Sequence, residues 1–180
     1  MPGLTMIRPA DATETAAAWM YALSHRDRPV ALALSRQKTP VIDRSSFPAA
    51  QLLERGAYVL ADAPKPRLLI MATGTEVALA LQAKASLESE GIACRVVSMP
   101  SWDLFEAQPA SYREQVLPDA VTARVAVEAA VGFGWDRYLG PRGIFVGMHS
   151  FGASAPVEAA YKGFGITKEA VIDSAKKVLQ

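Results

Sequence analysis

The first 36 residues hold two short apolar runs, 4–7 and 30–34, on either side of a longer helix-forming stretch. Pro9 ends the first run and Pro29 precedes the second. Asp11 and Glu14 stand three apart ahead of the alanine-rich stretch 12–23. This is the spacing of a capping box, in which Asp11 accepts from first-turn amides and Glu14 reaches back to the amide of Asp11. The stretch itself is built of helix formers, and polar residues 24–28 with Pro29 stop it. The pattern predicts strand, helix, strand, which is one parallel crossover unit. Parallel strands normally sit inside a larger sheet covered on both faces, so this unit is expected to be part of a bigger α/β domain. Residues 35–48, SRQKTPVIDRSSFP, carry few large apolar side chains, two prolines and several charges, and are expected to form a linker.

A second pattern begins near residue 52. Residues 58–61 are expected to form an edge strand. Residues 67–72 hold Leu68, Leu69, Ile70 and Met71 in succession, as in a strand buried on both faces. The turn Thr73-Gly74-Thr75 leads into a helix over 76–88, and Gly91 stands where a helix C-terminus takes a left-handed residue. Strands are expected at 94–99, 123–129 and 143–148, the last two separated by a glycine-rich turn region. The tail, 167–179, is an amphipathic helix with Val171, Ile172, Ala175, Val178 and Leu179 on its core face. Strands alternating with helices predict an α/β fold: an open, mostly parallel sheet flanked by helices, preceded by a partial βαβ unit. The domain division is expected at 1–45 and 46–180.

Composition narrows the classes of function. Of the 180 residues, 51% are apolar and 21% charged, a globular profile. Nineteen Lys and Arg against 18 Asp and Glu leave a net charge of +1, not the excess that tracks a phosphate backbone, so no nucleic-acid partner is expected. One cysteine, Cys94, excludes an internal disulfide framework and a cysteine-based zinc cluster. No apolar run approaches the ~20 residues of a spanning helix, so no membrane partner is expected. The start lacks the basic and apolar regions of a secretory signal, and a cytoplasmic setting is expected.

Candidate chemistry is sparse. Ser35-Arg36-Gln37 follows a buried strand. Ligands of open α/β sheets collect outside strand carboxyl ends, and an arginine there grips a phosphate or carboxylate with two parallel hydrogen bonds; the plainer reading is a surface arginine. Thr73-Gly74-Thr75-Glu76 opens a helix, whose free amides suit an anion, but no G-x-G-x-x-G or G-x-x-x-x-G-K-[ST] is present, and a tight turn is favoured. His25 is read as a helix-end histidine, where a cation is mildly favourable, and His149 as a hydrogen-bonded structural one, since no carboxylate stands at a regular offset from it. Cys94 is read as a small buried thiol. Trp19, Trp102, Trp135, Phe105 and Phe133 are expected in the core or at an interface. Asp103, Glu106, Glu128 and Asp136 make no metal-ligand spacing.

The wording of the chain is more specific than its composition. Ile7-Arg8-Pro9-Ala10-Asp11-Ala12, Leu32-Ala33-Leu34-Ser35-Arg36-Gln37 and Ala72-Thr73-Gly74-Thr75-Glu76-Val77 resemble transketolase. So do Val97-Ser98-Met99-Pro100-Ser101-Trp102-Asp103-Leu104-Phe105, Gly134-Trp135-Asp136-Arg137-Tyr138 and His149-Ser150-Phe151-Gly152-Ala153-Ser154-Ala155-Pro156. The resemblance runs in order from about residue 3 to about residue 177.

The resemblance implies a homodimeric thiamine-diphosphate enzyme that moves a two-carbon ketol unit from a ketose phosphate to an aldose phosphate. It places residues 1–45 as the end of the pyrimidine-binding domain plus linker, and 46–180 as the C-terminal domain. The family's G-D-G word for the diphosphate and its divalent cation, Mg or Ca, does not occur here. The family's catalytic histidines and cofactor-binding residues fall in the domains that precede this segment in the family. The resemblance therefore implies no catalytic, cofactor-binding or metal residue in this segment, and one site residue, the substrate-phosphate arginine Arg36. The segment taken alone is expected to be inactive and to bind no cofactor. Its partners are expected to be the missing N-terminal domains, sugar phosphates in the complete enzyme, and a second copy in a homodimer. Two alternatives stay open: a segment of a related thiamine-diphosphate enzyme (a deoxyxylulose-phosphate synthase or 2-oxoacid dehydrogenase component), or a stand-alone interaction or ligand-binding module.

Overall fold

A computed structural model describes residues 3–180. Thr5–Ile7 (β1), Ala12–Ser24 (α1) and Val30–Leu32 (β2) form the expected crossover unit. β1 and β2 pair in parallel, with Thr5 opposite Val30 and Ile7 opposite Leu32. The capping box is present in altered form. The Asp11 carboxylate accepts from the Glu14 amide at 2.8 Å, but Glu14 accepts from the amide of Ala10 at 2.7 Å rather than that of Asp11. The reason is tertiary. The other Glu14 oxygen accepts from the Tyr58 hydroxyl at 2.6 Å and the Ser98 hydroxyl at 2.8 Å, which draws the carboxylate into the core.

The rest of the chain contributes Tyr58–Ala61 (β3), Leu68–Ala72 (β4), Val77–Ser89 (α2), Cys94–Ser98 (β5), Trp102–Glu106 (α3), Ala110–Val116 (α4), Arg124–Val131 (β6), Asp136–Leu139 (α5), Ile144–Met148 (β7), Val157–Gly163 (α6) and Lys168–Val178 (α7). The five strands β3 to β7 form one sheet in the order β3-β5-β4-β6-β7, parallel except for the edge strand β3. β4 lies at its centre with every residue buried, as its unbroken apolar run predicts. Leu68, Ile70 and Ala72 point to one face, where α2 and α7 pack through Val77, Ala80, Leu87, Val171 and Ala175. Leu69 and Met71 point to the other, against Phe105, Val116, Trp135 and Tyr138. The short helices α3 to α6 were not legible in the sequence, because pieces of four to seven residues carry too few turns for a helical period to show.

Gly91 follows α2 with φ +79°, and its amide bonds to the Glu88 carbonyl at 3.0 Å. Nothing lies near the position a Cβ would take, so the whole cost of a side chain there is backbone strain. Gly91→Ala is expected to destabilise the fold by about 1 kcal/mol. Denaturant unfolding at constant slope checks this; an unchanged midpoint would mean that the turn relaxes.

The crossover unit docks on the larger sheet rather than fraying. Ile7, Ala18 and Tyr21 bury against Leu53, on the 3-10 helix Ala50–Arg55, and against Leu104 of α3. Residues 35–48 are irregular but not slack. Ile42 is buried, and its amide donates to Asp11 at 2.8 Å. Arg44 donates to Thr13, the Pro48 carbonyl and Tyr58 at 2.9–3.0 Å. Low apolar content hid this anchoring, because polar contacts supply it. The other face of α1 is left open, with Trp19, Met20 and Leu23 each more than half exposed.

Candidate functional site

In the chain, β4 is followed by β5 on one side and, after a crossover, by β6 on the other. The winding therefore reverses between β4 and β6, and a crevice opens beyond their carboxyl ends, where open α/β sheets take ligands. The crossover unit closes that crevice from outside. The result is an open cleft of about 770 Å³. One wall is Arg8, Pro9 and residues 33–37; the other is Gly74, Thr75, Ala129, Ser154, Ala155, Val157 and Tyr161.

Two candidates that were separate in the sequence, Arg36 and the Thr73-Gly74-Thr75-Glu76 turn, thus face one cleft. Arg36 is exposed and makes no ion pair with any described residue. The first amide of the turn is already taken. The Gly74 amide donates to the Arg8 carbonyl at 3.1 Å, and the Glu76 carboxylate, wholly buried, occupies the helix start. Gly74 has φ +59°, and a Cβ there would lie 2.7 Å from the Arg8 Nε, so its bare backbone is what lets the arginine lie across the turn.

Arg8, Glu128 and Tyr161 are the residues that sequence reasoning missed. Arg8 Nη2 pairs with Glu76 at 2.6 Å, and Nη1 reaches Glu128 at 3.3 Å and the Thr73 carbonyl at 3.1 Å. Glu76 also accepts from the Ala129 amide at 3.0 Å and from the Tyr161 hydroxyl. Glu128 accepts from the Trp135 indole at 2.7 Å. Burial pushes the Tyr161 hydroxyl up to about 12, with the Glu76 carboxylate adding to it. Burial also raises the Glu128 carboxyl above the usual range, against the pull of Trp135 and Arg8. The one signal available beforehand was position: Arg8 follows β1 as Arg36 follows β2.

The remaining candidates lie elsewhere. His25 stacks on Tyr21 with ring centroids 4.0 Å apart, and its Nδ1 lies 3.0 Å from the Tyr21 carbonyl at the end of α1, a helix-end role. His149 is exposed beyond β7 and makes no hydrogen bond with a described residue, so it is not the bonded structural histidine expected. Cys94 is buried in β5, and burial pushes its thiol up to about 11, which makes it inert. Trp135 and Phe105 are core residues; Phe133 is 89% exposed. Among the described residues, no three His, Cys, Asp or Glu side chains converge as metal ligands, and no helix is long and apolar enough to cross a membrane.

The fold and cleft define a doubly wound α/β domain gripping a parallel strand–helix–strand unit. Residues 56–167 match the family model described as the transketolase-like TK C-terminal domain, and the chain belongs to that family. Over its whole length it is 50% identical to a transketolase of Halalkalibacterium halodurans, of which it spans 27%. Its structure superposes on transketolase from Leishmania mexicana with a TM-score of 0.92 at 46% identity, covering 99% of this chain and 26% of that one. Transketolase of Pichia stipitis in complex with sedoheptulose 7-phosphate gives 0.88 at 37% identity, covering 98% of this chain and 25% of that one. The chain therefore spans about a quarter of the length of the transketolases it matches.

Proposed function

We propose that the chain serves as the C-terminal part of a transketolase that transfers a two-carbon ketol unit from a ketose phosphate to an aldose phosphate, and that Arg36 binds the substrate phosphate. The observation that carries the phosphate role is the contrast within the cleft: Arg8 is engaged by two carboxylates, whereas Arg36, which also lines it, makes no ion pair among the described residues. A guanidinium in that state is suited to two parallel bonds with a phosphate. The match of the whole chain to transketolases, one of them holding a sugar phosphate, supports the reading.

In this reading residues 1–45 end a pyrimidine-binding domain and 46–180 form the C-terminal domain; the family model's residues 56–167 lie inside the second. Thiamine diphosphate and its divalent cation belong to the complete enzyme, as do a cytoplasmic setting and a homodimer. The residues of this chain do not fit the cofactor: no G-D-G occurs, and no metal-ligand cluster forms among the described residues. No step of the transfer is assigned to this chain through that group.

The test is reconstitution. The chain is combined with a polypeptide covering the preceding three quarters of a related transketolase, and ketol transfer is followed with each part alone and with both. Activity is expected only from the pair. Turnover by the 180-residue chain alone, or saturable binding of thiamine diphosphate with magnesium to it at micromolar concentration, would overturn the assignment.

A further inference from the structure

Arg8 and Arg36 leave the same end of a two-stranded parallel sheet and face the same cleft, one locked and the other without an ion pair among the described residues. The locked one joins the two units. Its guanidinium reaches the Thr73 carbonyl just beyond β4, Glu76 at the start of α2, and Glu128 on β6. Its backbone is also tied to the larger sheet: the amide donates to the Pro100 carbonyl at 2.8 Å, and the carbonyl accepts from Gly74. Through Glu76 the network continues to Tyr161 on α6, and through Glu128 to Trp135 at the start of α5. The segment leading to Arg36 hangs on the residue before Arg8, since the Ala33 amide donates to the Ile7 carbonyl at 2.8 Å.

Other contacts between the units hold a different place. Leu53 and Leu104 grip the crossover unit under α1, and Tyr58 and Ser98 bond Glu14 inside α1. At the strand ends that carry Arg36, Arg8 supplies a charged side-chain tie to the larger sheet, beside the Thr73 hydroxyl, which donates to the Arg8 carbonyl at 3.4 Å. Without it, a wholly buried Glu76 and a mostly buried Glu128 would face each other with no cation between them, an arrangement that favours opening.

We propose that Arg8 is the positioning residue of the Arg36 subsite: by bridging Glu76 and Glu128 it holds the strand ends on the C-terminal domain, so that residues 33–37 face the Gly74 and Thr75 wall. The proposal rests on the reading of Arg36 as the phosphate ligand. A planar fork is required, because one side chain must satisfy two carboxylates and a carbonyl in fixed directions.

Hydrogen exchange and an NMR titration of the Arg36 guanidinium with inorganic phosphate test it on the 180-residue chain. Arg8→Met is expected to speed exchange at residues 5–8 and 30–35 by about tenfold or more while α1, β4 and β5 keep their protection. It is expected to weaken phosphate by about fivefold or more, the size of an ordinary coupling between sites. Arg8→Lys is expected to fall between, keeping the charge without the fork. If Arg8→Met does not fold, Glu128→Gln takes its place: it removes one carboxylate from Arg8, leaves an acceptor for Trp135, and is expected to move both readouts the same way by less. Unchanged exchange at 30–35, or acceleration spread evenly over the chain, would overturn the proposal. Arg36→Met separates the two ideas. If the backbone amides of residues 33–37 still shift with phosphate after this substitution, the phosphate reading falls, and the exchange pattern then decides on Arg8 alone.

Discussion

Trp135→Ala is expected to cost about 3–5 kcal/mol, the range for truncating a fully buried tryptophan or phenylalanine. Trp135 is wholly buried at the start of α5. Its ring meets Trp102 edge-on at 5.2 Å and lies 6.1 Å from Tyr138 and 6.2 Å from Phe145, the aromatic centre of one face of the sheet. The substitution also strips Glu128 of the indole donor, leaving one carboxylate oxygen of a mostly buried group without that partner. At this chain length the loss corresponds to a fall in the unfolding temperature of about 6–20 °C. Trp135→Phe separates the two contributions, since it restores most of the packing and leaves only the lost hydrogen bond, about 1–3 kcal/mol. Calorimetry and denaturant unfolding read both variants. A Trp135→Ala loss below about 1 kcal/mol would mean that the aromatic cluster repacks, against the behaviour of close-packed cores.

Arg36→Ala, placed in the reconstituted or complete enzyme, is expected to weaken phosphorylated substrates by about 10- to 150-fold relative to the unphosphorylated parts of the same sugars. The size follows from a charge-assisted bidentate contact of about 1.5–3 kcal/mol. The fold should be unaffected, because Arg36 is exposed and forms no ion pair with a described residue. Steady-state kinetics with paired substrates checks it. Equal losses for both members of a pair would make Arg36 a structural residue of the 33–37 loop. Taken with Arg8, the pattern is diagnostic: Arg36→Ala is expected to change phosphate recognition with exchange at 30–35 unaltered, whereas Arg8→Met is expected to change both.

Much of the architecture was written in local pattern. The unbroken apolar run of β4, the Asp11 cap, the left-handed Gly91 and the amphipathic stripe of α7 all depend on residues within about one helical turn or one strand of each other. Backbone geometry alone converts such spacing into structure. Arg36 was legible for the same reason, as a cation just beyond a predicted strand, although β2 ends at Leu32 and is only half-buried, and its wording tied it to a known family. The decisive features of the cleft have no local trace. Arg8 meets Thr73 across 65 positions and Glu128 across 120, and Glu14 meets Ser98 across 84. No periodicity relates residues so far apart. Glu128 therefore showed only an absence of metal-ligand spacing, Glu14 read as a capping partner, and residues 35–48 as a linker. The sequence by itself determined the strands β1 to β7, the helices α1, α2 and α7, and which family the chain resembles. Only the tertiary structure decided which of two similarly placed arginines is paired with carboxylates and which makes no ion pair among the described residues, because burial and charge pairing depend on what the folded sheet brings together.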